Sequence, residues 1–341
     1  MSDSGYANDR PTPGGAEWLD SVVEDVLDPG APIIDPHHHL WPHGEGMQYG
    51  LADLEADLAS GHNVVDTVFV ECGAAYRRGM GEPLAPVGET AFVTAEAERA
   101  SRPVMGGIVA HADLTDAVHL DQVLDAHQAA SNGRLRGIRH AGSHALHPEV
   151  LTIPGRAPAG LYADPAFRAG VARLGERGLS YDTWHYHYQN QDFAEMARAV
   201  PGTTIVLDHF GTPLGVGPYA SQREQIFKQW TADIADIATC GNVVAKLGGL
   251  AMPDNGFGWH TAQRPPTSDE FVASQRRYYV HTIEHFGPQR CMFESNFPVD
   301  RRSLSYRVLW NGFKKMIVDF SPDERDAMLR GTAARTYRLT S

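Results

Sequence analysis

The stretch VVDTVFVE at positions 64–71 is nearly continuous in apolar residues, which is typical of a strand buried on both faces of a parallel sheet. The stretch TIVLDH at 204–209 has the same character. Short apolar runs of this kind, bounded by Gly, Pro or Asn, recur along the chain and predict eight strands. They cover Pro32–Asp35, Val64–Glu71, Val104–His111, Leu135–His140, Leu179–His187, Thr204–His209, Val243–Leu247 and Cys291–Phe297.

The segments between these strands show helical periodicity. They include Thr90–Ala100, Leu120–Ala130, Pro165–Arg177, Gln225–Ala238 and Gln275–Phe286, and Pro322–Tyr337 ends the chain. Alternating strands and helices imply a parallel sheet, and eight such units imply closure into a (β/α)₈ TIM barrel of the α/β class. A doubly wound open sheet is the alternative, but no Gly-rich phosphate loop follows the first strand to support it.

The barrel is predicted to occupy residues 31–341 as a single domain. Residues 1–30 are predicted to form a flexible extension, polar and rich in Gly and Pro over residues 1–15, with a short helix at Glu17–Leu27. Long loops follow strands four, six and seven, at 141–164, 211–221 and 248–274. Because active sites of such barrels lie at the carboxyl ends of the strands, these loops predict a covered pocket on that face.

Charge and cysteine content narrow the classes of partner. The 341 residues include 29 Lys and Arg against 42 Asp and Glu, a net charge of −13, which argues against nucleic-acid binding because phosphate contacts dominate that affinity. No window approaches the roughly 20 apolar residues of a membrane span. Three cysteines favour a reducing cytoplasm. We expect a small-molecule substrate, no nucleic acid, no membrane, and an enzyme that can form a homo-oligomer.

The 17 histidines are the unusual feature of the composition. The run IIDPHHHLW at 33–41 ends the first strand, where His37 and His39 share one face and His38 points away. Two imidazoles so placed can bind one metal ion, although an ordinary pair of loop histidines is the alternative. Further candidates end other strands, and their recurrence at one level of the barrel favours a metal site. These are Glu71, His111, Arg139, His140, His185, His187 and His209.

After strand five, aromatic residues alternate with histidines. Trp184, Tyr186 and Tyr188 face one way, and His185 and His187 face the other. We expect the imidazoles to line the site and the aromatic rings to pack under the helices. For Asp208, beside His209, we expect a side chain that points outward or orients a neighbour.

Three motifs together resemble the lactonase-like, metal-dependent branch of the amidohydrolase superfamily. They are IIDPHHHLW, VLDHFG at 206–211 and MFESNFPVD at 292–300, and the resemblance runs from about Ile33 to Tyr337. It implies one or two divalent ions, zinc or iron, with manganese also suitable. The expected metal ligands are His37, His39, Glu71, His111, His187 and His209. The expected substrate contacts are His140, His185 and Lys246, with a structural ion pair as the alternative for Lys246. Arg139 is expected to hold a substrate carboxylate or carbonyl, a task suited to its rigid fork of donors.

Strand eight departs from the family pattern at Asn296, where most such enzymes have an aspartate. An amide cannot act as a base and is a weak neutral ligand. Glu294 and Glu71 are the carboxylates that could compensate, so the expected catalytic residues are Glu294, Asn296 and Arg139. The alternative for either glutamate is a salt bridge to Arg77, Lys246 or Arg139, because a buried carboxylate needs a cation.

Two functions remain open from the sequence. The first is hydrolysis of a lactone, ester or amide by a metal-activated water. The alternative is a dinuclear non-haem iron monooxygenase that uses O₂, in which Glu71 bridges two ions. A non-catalytic subunit with a structural metal fits less well, because the candidates are spread over six strand ends. The loop after strand seven mixes apolar and aromatic residues and predicts a mostly apolar pocket wall.

Overall fold

Eight parallel strands form the centre of the molecule in the computed structural model, which describes residues 12–77, 79 and 82–339. Their order in the sheet follows their order in the chain, β1 to β8. They are β1 Pro32–His38, β2 Asn63–Val70, β3 Gly107–Ala110, β4 Leu135–Arg139, β5 Ser180–Thr183, β6 Ile205–Leu207, β7 Val243–Leu247 and β8 Cys291–Phe293. The predicted (β/α)₈ barrel is confirmed.

The barrel closes between β1 and the residues that follow β8. The amide of Asn296 donates to the carbonyl of His37 over 2.9 Å, and the amide of His39 donates to the carbonyl of Phe297 over 2.8 Å. These hydrogen bonds continue the ladder past the end of β8, so the strand-one and strand-eight motifs lie side by side at one rim.

Helices surround the strands. They are α1 Ala16–Leu19, α2 Leu51–Leu58, α3 Val87–Arg99, α4 Leu120–Ala130, α5 Pro165–Glu176, α6 Asn190–Ala199, α7 Arg223–Ala238, α8 Ser268–Phe286, α9 Tyr306–Met316, α10 Pro322–Asp326 and α11 Thr332–Thr336. The predicted helix at the end of the chain is divided, since a π-helical turn, Ala327–Gly331, separates α10 from α11. None of the helices in the described ranges has both the length and the apolar character needed to cross a membrane.

The amino-terminal extension follows the outside of the barrel. The predicted helix at Glu17–Leu27 is only one turn long, α1, and the chain beyond it is irregular. This irregular segment is held by α9, because Asn311 Oδ1 accepts from the amide of Leu27 and Lys314 Nζ donates to its carbonyl, both over 2.9 Å. Of the flexible start predicted from the sequence, residues 1–11 lie outside the described part of the chain.

Several strands end earlier than predicted. β5 stops at Thr183 instead of His187, and β6 stops at Leu207 instead of His209. The chain then turns sharply, with φ of +53° at His209. Side-chain alternation ends where the extended backbone ends, so the predicted orientations of residues beyond these points do not have to hold.

A buried ion-pair network lies inside the barrel. Lys246 of β7 places Nζ 2.9 Å from Asp182 Oδ2 and 3.1 Å from Asp208 Oδ1, and all three side chains are fully buried. Burial alone would lower the pKa of Lys246, but Asp182 and Asp208 outweigh it and raise the pKa above its ordinary value. The lysine therefore stays charged, as a buried cation between two carboxylates must.

Replacing this cation tests the network. We expect Lys246→Met to lower the free energy of unfolding by about 3–5 kcal/mol, because two buried carboxylates lose their partner. Urea unfolding followed by circular dichroism measures the change. The control is Lys315→Met, which removes a partly exposed pair with Asp269 and should cost less than about 1 kcal/mol. Equal losses in the two variants would contradict the assignment.

Candidate active site

Three buried side chains meet at the carboxyl ends of the strands. His37 is part of β1, His209 follows β6 and Glu294 follows β8. Glu294 Oε2 lies 2.7 Å from His37 Nδ1, and Glu294 Oε1 lies 2.7 Å from His209 Nδ1. One potential ligand atom from each residue lies within 4.8 Å of the other two. The structure thus brings together two expected ligands and one expected catalytic carboxylate.

The electrostatics of this cluster suit a divalent metal. Burial lowers the pKa of His37 far below its ordinary value and that of His209 to about 3, so both imidazoles are neutral. Glu294 Oε2 lies close to His37 but outside hydrogen-bond geometry, and it has no hydrogen-bond partner among the described residues. Neutral imidazoles with a buried, unsatisfied carboxylate oxygen form a donor set that zinc and iron accept. The residues present fit the metal that the motifs imply.

His39 is oriented toward the same cluster. Its Nδ1 lies 2.7 Å from the carbonyl oxygen of Val70, which places the proton on Nδ1 and leaves Nε2 as the lone-pair atom. That Nε2 lies 3.3 Å from Nε2 of His37. A carbonyl that fixes the tautomer is the usual support of a metal-binding histidine. His38 points away, as strand alternation predicts, with Nε2 2.9 Å from Thr67 Oγ1.

A cavity of about 320 Å³ lies over the cluster. Its polar lining residues sit at or just after the strand ends, and they are His39, Glu71, Arg139, His209 and Asn296. Its larger apolar lining residues are Trp184, which follows β5 directly, and five residues of the loops, Trp41, Met47, Ile153, Met252 and Val299. The site therefore has a polar floor and apolar walls, and the loop after strand seven, from which an apolar wall was predicted, contributes Met252 to them.

Arg139 and Glu71 form an ion pair on this floor. Arg139 Nε lies 2.7 Å from Glu71 Oε1, and Nη2 donates to the main-chain oxygen of Glu71. Burial raises the pKa of Glu71, but Arg139 outweighs burial and keeps the pKa below its ordinary value. The structure thus shows the salt bridge that was the alternative reading of Glu71, and Glu71 is outside the cluster of His37, His209 and Glu294.

The guanidinium of Arg139 directs Nη1 toward the cluster of His37, His209 and Glu294. Its Nη1 lies 3.4 Å from Nε2 of His37 and 3.7 Å from Asp208 Oδ2. Because Nε and Nη2 are bound by Glu71, Nη1 is the donor placed nearest the cluster. This arrangement suits the expected contact of Arg139 with a substrate oxygen.

Asn296 lines the cavity in a fixed orientation. Its Nδ2 donates to Asp300 Oδ1 over 3.0 Å, and Asp300 Oδ2 accepts from the amide of Ala251 over 3.2 Å. Burial raises the pKa of Asp300 well above its ordinary value. The amide thus occupies the strand-eight position of the site, and the carboxylate behind it does not line the cavity.

Two histidines beside strand four lie apart from the cluster of His37, His209 and Glu294, although His111 was an expected ligand and His140 an expected substrate contact. His111 Nδ1 lies 3.0 Å from the carbonyl of Arg139, and His140 Nδ1 accepts from the amide of Leu114 over 3.1 Å. Neither is among the described residues that line the cavity. A main-chain group is hydrogen-bonded to Nδ1 of each imidazole, so both histidines help to support the backbone around β4.

The expectation that imidazoles and not aromatic rings line the site after strand five is wrong, since Trp184 is the residue of that segment in the cavity lining. His185 is buried against Phe193, with ring centroids 4.8 Å apart, and its Nε2 lies 2.9 Å from Asn190 Oδ1. His187 Nδ1 accepts from the amide of Leu214. Trp184, which was expected to pack under the helices, lines the cavity instead. The reason is the early end of β5, after which a 3₁₀ turn at His187–Gln189 replaces the extended chain.

Lys246 forms the structural ion pair that was the alternative to a substrate contact, and Asp208 points inward, which the sequence analysis did not predict. Lys246 is fully buried below the floor, with Nζ 3.3 Å from His37 Nδ1, so it does not reach the cavity as an expected substrate contact would. Asp208 points inward to this lysine. Asp182 in strand five could have indicated this ion pair from the sequence, because an aspartate within a buried strand requires a cation.

Known proteins resemble this chain over nearly its whole length. The sequence matches the model of the amidohydrolase family over residues 34–339. It is 33% identical over 336 residues to the "Uncharacterized protein y4mH" of Sinorhizobium fredii, covering 90% of this chain and 98% of that protein. It is 26% identical over 324 residues to the L-fucono-1,5-lactonase of Burkholderia multivorans, covering 91% and 97%.

A solved structure resembles the barrel as well. An amidohydrolase from Burkholderia multivorans with bound zinc superimposes with a TM-score of 0.70 at 25% identity, covering 91% of this chain and all of that one. The family match spans the barrel from β1 to the residues after α11. The chain belongs to the amidohydrolase family.

Proposed function

We propose that this protein is a metal-dependent hydrolase that cleaves a lactone, ester or amide bond in a small organic substrate, with a lactone as the first choice. The observation that carries the proposal is the buried cluster of His37, His209 and Glu294 beneath a cavity that Arg139 and Glu71 also line. Similarity to a lactonase over 91% of the chain supports the choice of a lactone.

One divalent ion would be held by His37, His209 and Glu294, with His39 beside them. When bound, the ion supplies a Lewis acid that polarises the acyl carbonyl and lowers the pKa of water. Zinc fits this imidazole and carboxylate set, and iron and manganese are the other suitable ions. Glu294 does not line the cavity, so it would bind the ion from below with His37 and His209 and would not contact the substrate.

The residues on the cavity floor have separate tasks. Arg139 donates from Nη1 to the acyl oxygen of the substrate, and Glu71 holds the guanidinium in place through Nε and Nη2. Glu71 is the carboxylate on the floor, so it accepts the proton of the attacking water. The water oxygen forms a bond to the acyl carbon, the bond from that carbon to the leaving oxygen (nitrogen in an amide) breaks, and the leaving atom receives the proton. Asn296 orients the bound molecule, since an amide exchanges no proton.

The second candidate function is a dinuclear non-haem iron monooxygenase. Asn296 favours it, because a hydrolytic aspartate is missing from strand eight. The geometry of Glu71 favours the hydrolase, since Arg139 binds the carboxylate that would have to bridge two ions. Among the described residues, one cluster of donors has the spacing for a metal.

Metal analysis separates these two functions. For protein purified without chelator or added metal, we expect about one divalent ion per chain by mass spectrometry, and hydrolysis of a lactone in a pH-indicator assay. Glu294→Gln should bind the ion at least 10-fold more weakly, because a carboxylate that holds two imidazoles becomes a neutral amide. Glu284→Gln, at an exposed position of α8, is the control and should retain the ion. Two irons per chain with substrate-dependent O₂ uptake would replace the hydrolase by the monooxygenase.

Arg139 can be tested while its charge is kept. Arg139→Lys should lower kcat/KM by about 10²-fold, the usual cost of losing one donor to a developing oxyanion. A lysine can pair with Glu71 but cannot also direct a second nitrogen to the substrate. The control is Arg264→Lys, in an exposed pair with Glu270, which should leave kcat/KM unchanged. An Arg139→Lys enzyme with unaltered kinetics would remove Arg139 from the mechanism.

A further inference from the structure

The lining of the cavity combines a few polar side chains with a larger set of apolar ones, and this composition limits what can bind. We infer that the substrate carries its acyl group on a compact apolar body, as an alkyl or aryl lactone does, and not on a polyhydroxylated sugar. The inference rests on the proposed hydrolase and adds the class of substrate.

The walls of the cavity offer few hydrogen-bonding side chains. The residues above the floor are Trp41, Met47, Ile153, Trp184, Met252 and Val299. These six side chains contain two nitrogen atoms, one in each indole. Trp184 Nε1 is buried away from the cavity surface and has no hydrogen-bond partner in the described ranges. A ligand in contact with these walls therefore meets mainly carbon and sulfur atoms.

The wall formed by Trp41 is held in place by its own loop. A Cβ atom at Gly46 would lie 2.1 Å from Cδ1 and Nε1 of Trp41, and Gly46 has φ of +49°. Only glycine lets the loop approach the indole so closely in this conformation. The amide of Trp41 also donates to the carbonyl of Tyr49 over 2.9 Å. The loop that follows Trp41 thus packs against its indole, and this wall is formed before a ligand binds.

The polar floor has little capacity left for hydroxyl groups. His39 Nδ1 is bound to Val70, His209 Nδ1 lies against Glu294 and Asn296 Nδ2 is bound to Asp300. Arg139 and Glu71 hold each other. The remaining atoms of these side chains lie at the floor, where the acyl group and the metal must also fit. Few polar contacts are therefore left for the rest of the substrate.

A sugar lactone would place several hydroxyls against the walls. Each hydroxyl that loses water without a new partner lowers affinity by about tenfold or more. An apolar body gains affinity from the same surface, since burying apolar area is favourable. The volume of about 320 Å³ lies at the low end of the range for small-molecule sites, roughly 300–1,000 Å³. A body of one or two rings, or a short alkyl chain, matches it.

The first experiment compares two δ-lactones on the metal-containing wild-type protein, δ-octalactone and L-fucono-1,5-lactone. Each kcat/KM is divided by the rate constant for hydroxide-catalysed hydrolysis of that lactone, which removes the difference in intrinsic reactivity. We expect the ratio to favour δ-octalactone by at least about 10²-fold, as two unpartnered hydroxyls would predict. A ratio that favours the sugar lactone would overturn the substrate class and leave the hydrolase in place.

Binding of non-hydrolysable ethers keeps the two proposals distinguishable. Calorimetry with 2-propyltetrahydropyran and 1,5-anhydro-L-fucitol measures the cavity without any reaction. Tighter binding of the apolar ether supports the substrate class even if neither lactone is hydrolysed, a result that would overturn the hydrolase alone. Tighter binding of the sugar ether, or no binding of either ether, would overturn the substrate class.

A matched pair of variants tests whether the wall is responsible. Val299→Thr keeps the shape of a lining side chain and adds one hydroxyl, whereas Val318→Thr makes the same change at a residue that is 63% exposed and does not line the cavity. We expect Val299→Thr to shift the lactone ratio at least fivefold toward the sugar lactone and Val318→Thr to leave it unchanged. Melting temperatures confirm that both variants fold. A Val299→Thr enzyme that folds and keeps the wild-type ratio would contradict the role of the wall.

Discussion

The pairing of β1 with the residues after β8 is the constraint on which the site depends. Two main-chain hydrogen bonds, from Asn296 to His37 and from His39 to Phe297, continue the sheet beyond the last residue of β8. They place the histidines of the first strand beside Glu294 at the far end of the chain. Without this closure, the two parts of the metal cluster would lie on separate edges of an open sheet, and no ion could be bound by both.

Burial then determines the chemistry at this junction. The imidazoles of His37 and His209 stay neutral because they are withdrawn from water and lie near the cations Lys246 and Arg139. Beneath them, Lys246 balances Asp182 and Asp208, so the barrel interior carries charge without an isolated ion. The result is a layered arrangement, with paired charges inside the barrel, metal donors at its rim, and a cavity with apolar walls above. The cations in the barrel interior help to keep the imidazoles at the rim neutral, and a neutral imidazole can bind a metal whereas a protonated one cannot.

Much of this arrangement could be predicted from local pattern. Continuous apolar runs indicated the strands, and the periodicity of Leu120–Ala130 predicted α4 with its observed bounds. Alternation along β1 placed His37 and His39 together and turned His38 away, and it worked because the backbone there is extended to His38. Glu294, two residues from the unexpected amide Asn296, was recognised because a carboxylate in a barrel interior requires a cation or a metal.

Sequence alone therefore determined the barrel and the strand ends that carry the chemistry, because hydrophobic periodicity and chain order are local properties. Only the tertiary structure decided which side chains at those ends meet. Glu71 is bound by Arg139, 68 residues further along the chain, and so is not shared between ions. Trp184 lines the cavity and His185 and His187 do not, because β5 ends at Thr183 and the chain turns there. Such outcomes depend on the residue at which the extended backbone ends and on which distant residue pairs with a buried charge. The spacing of residues in the sequence determines neither.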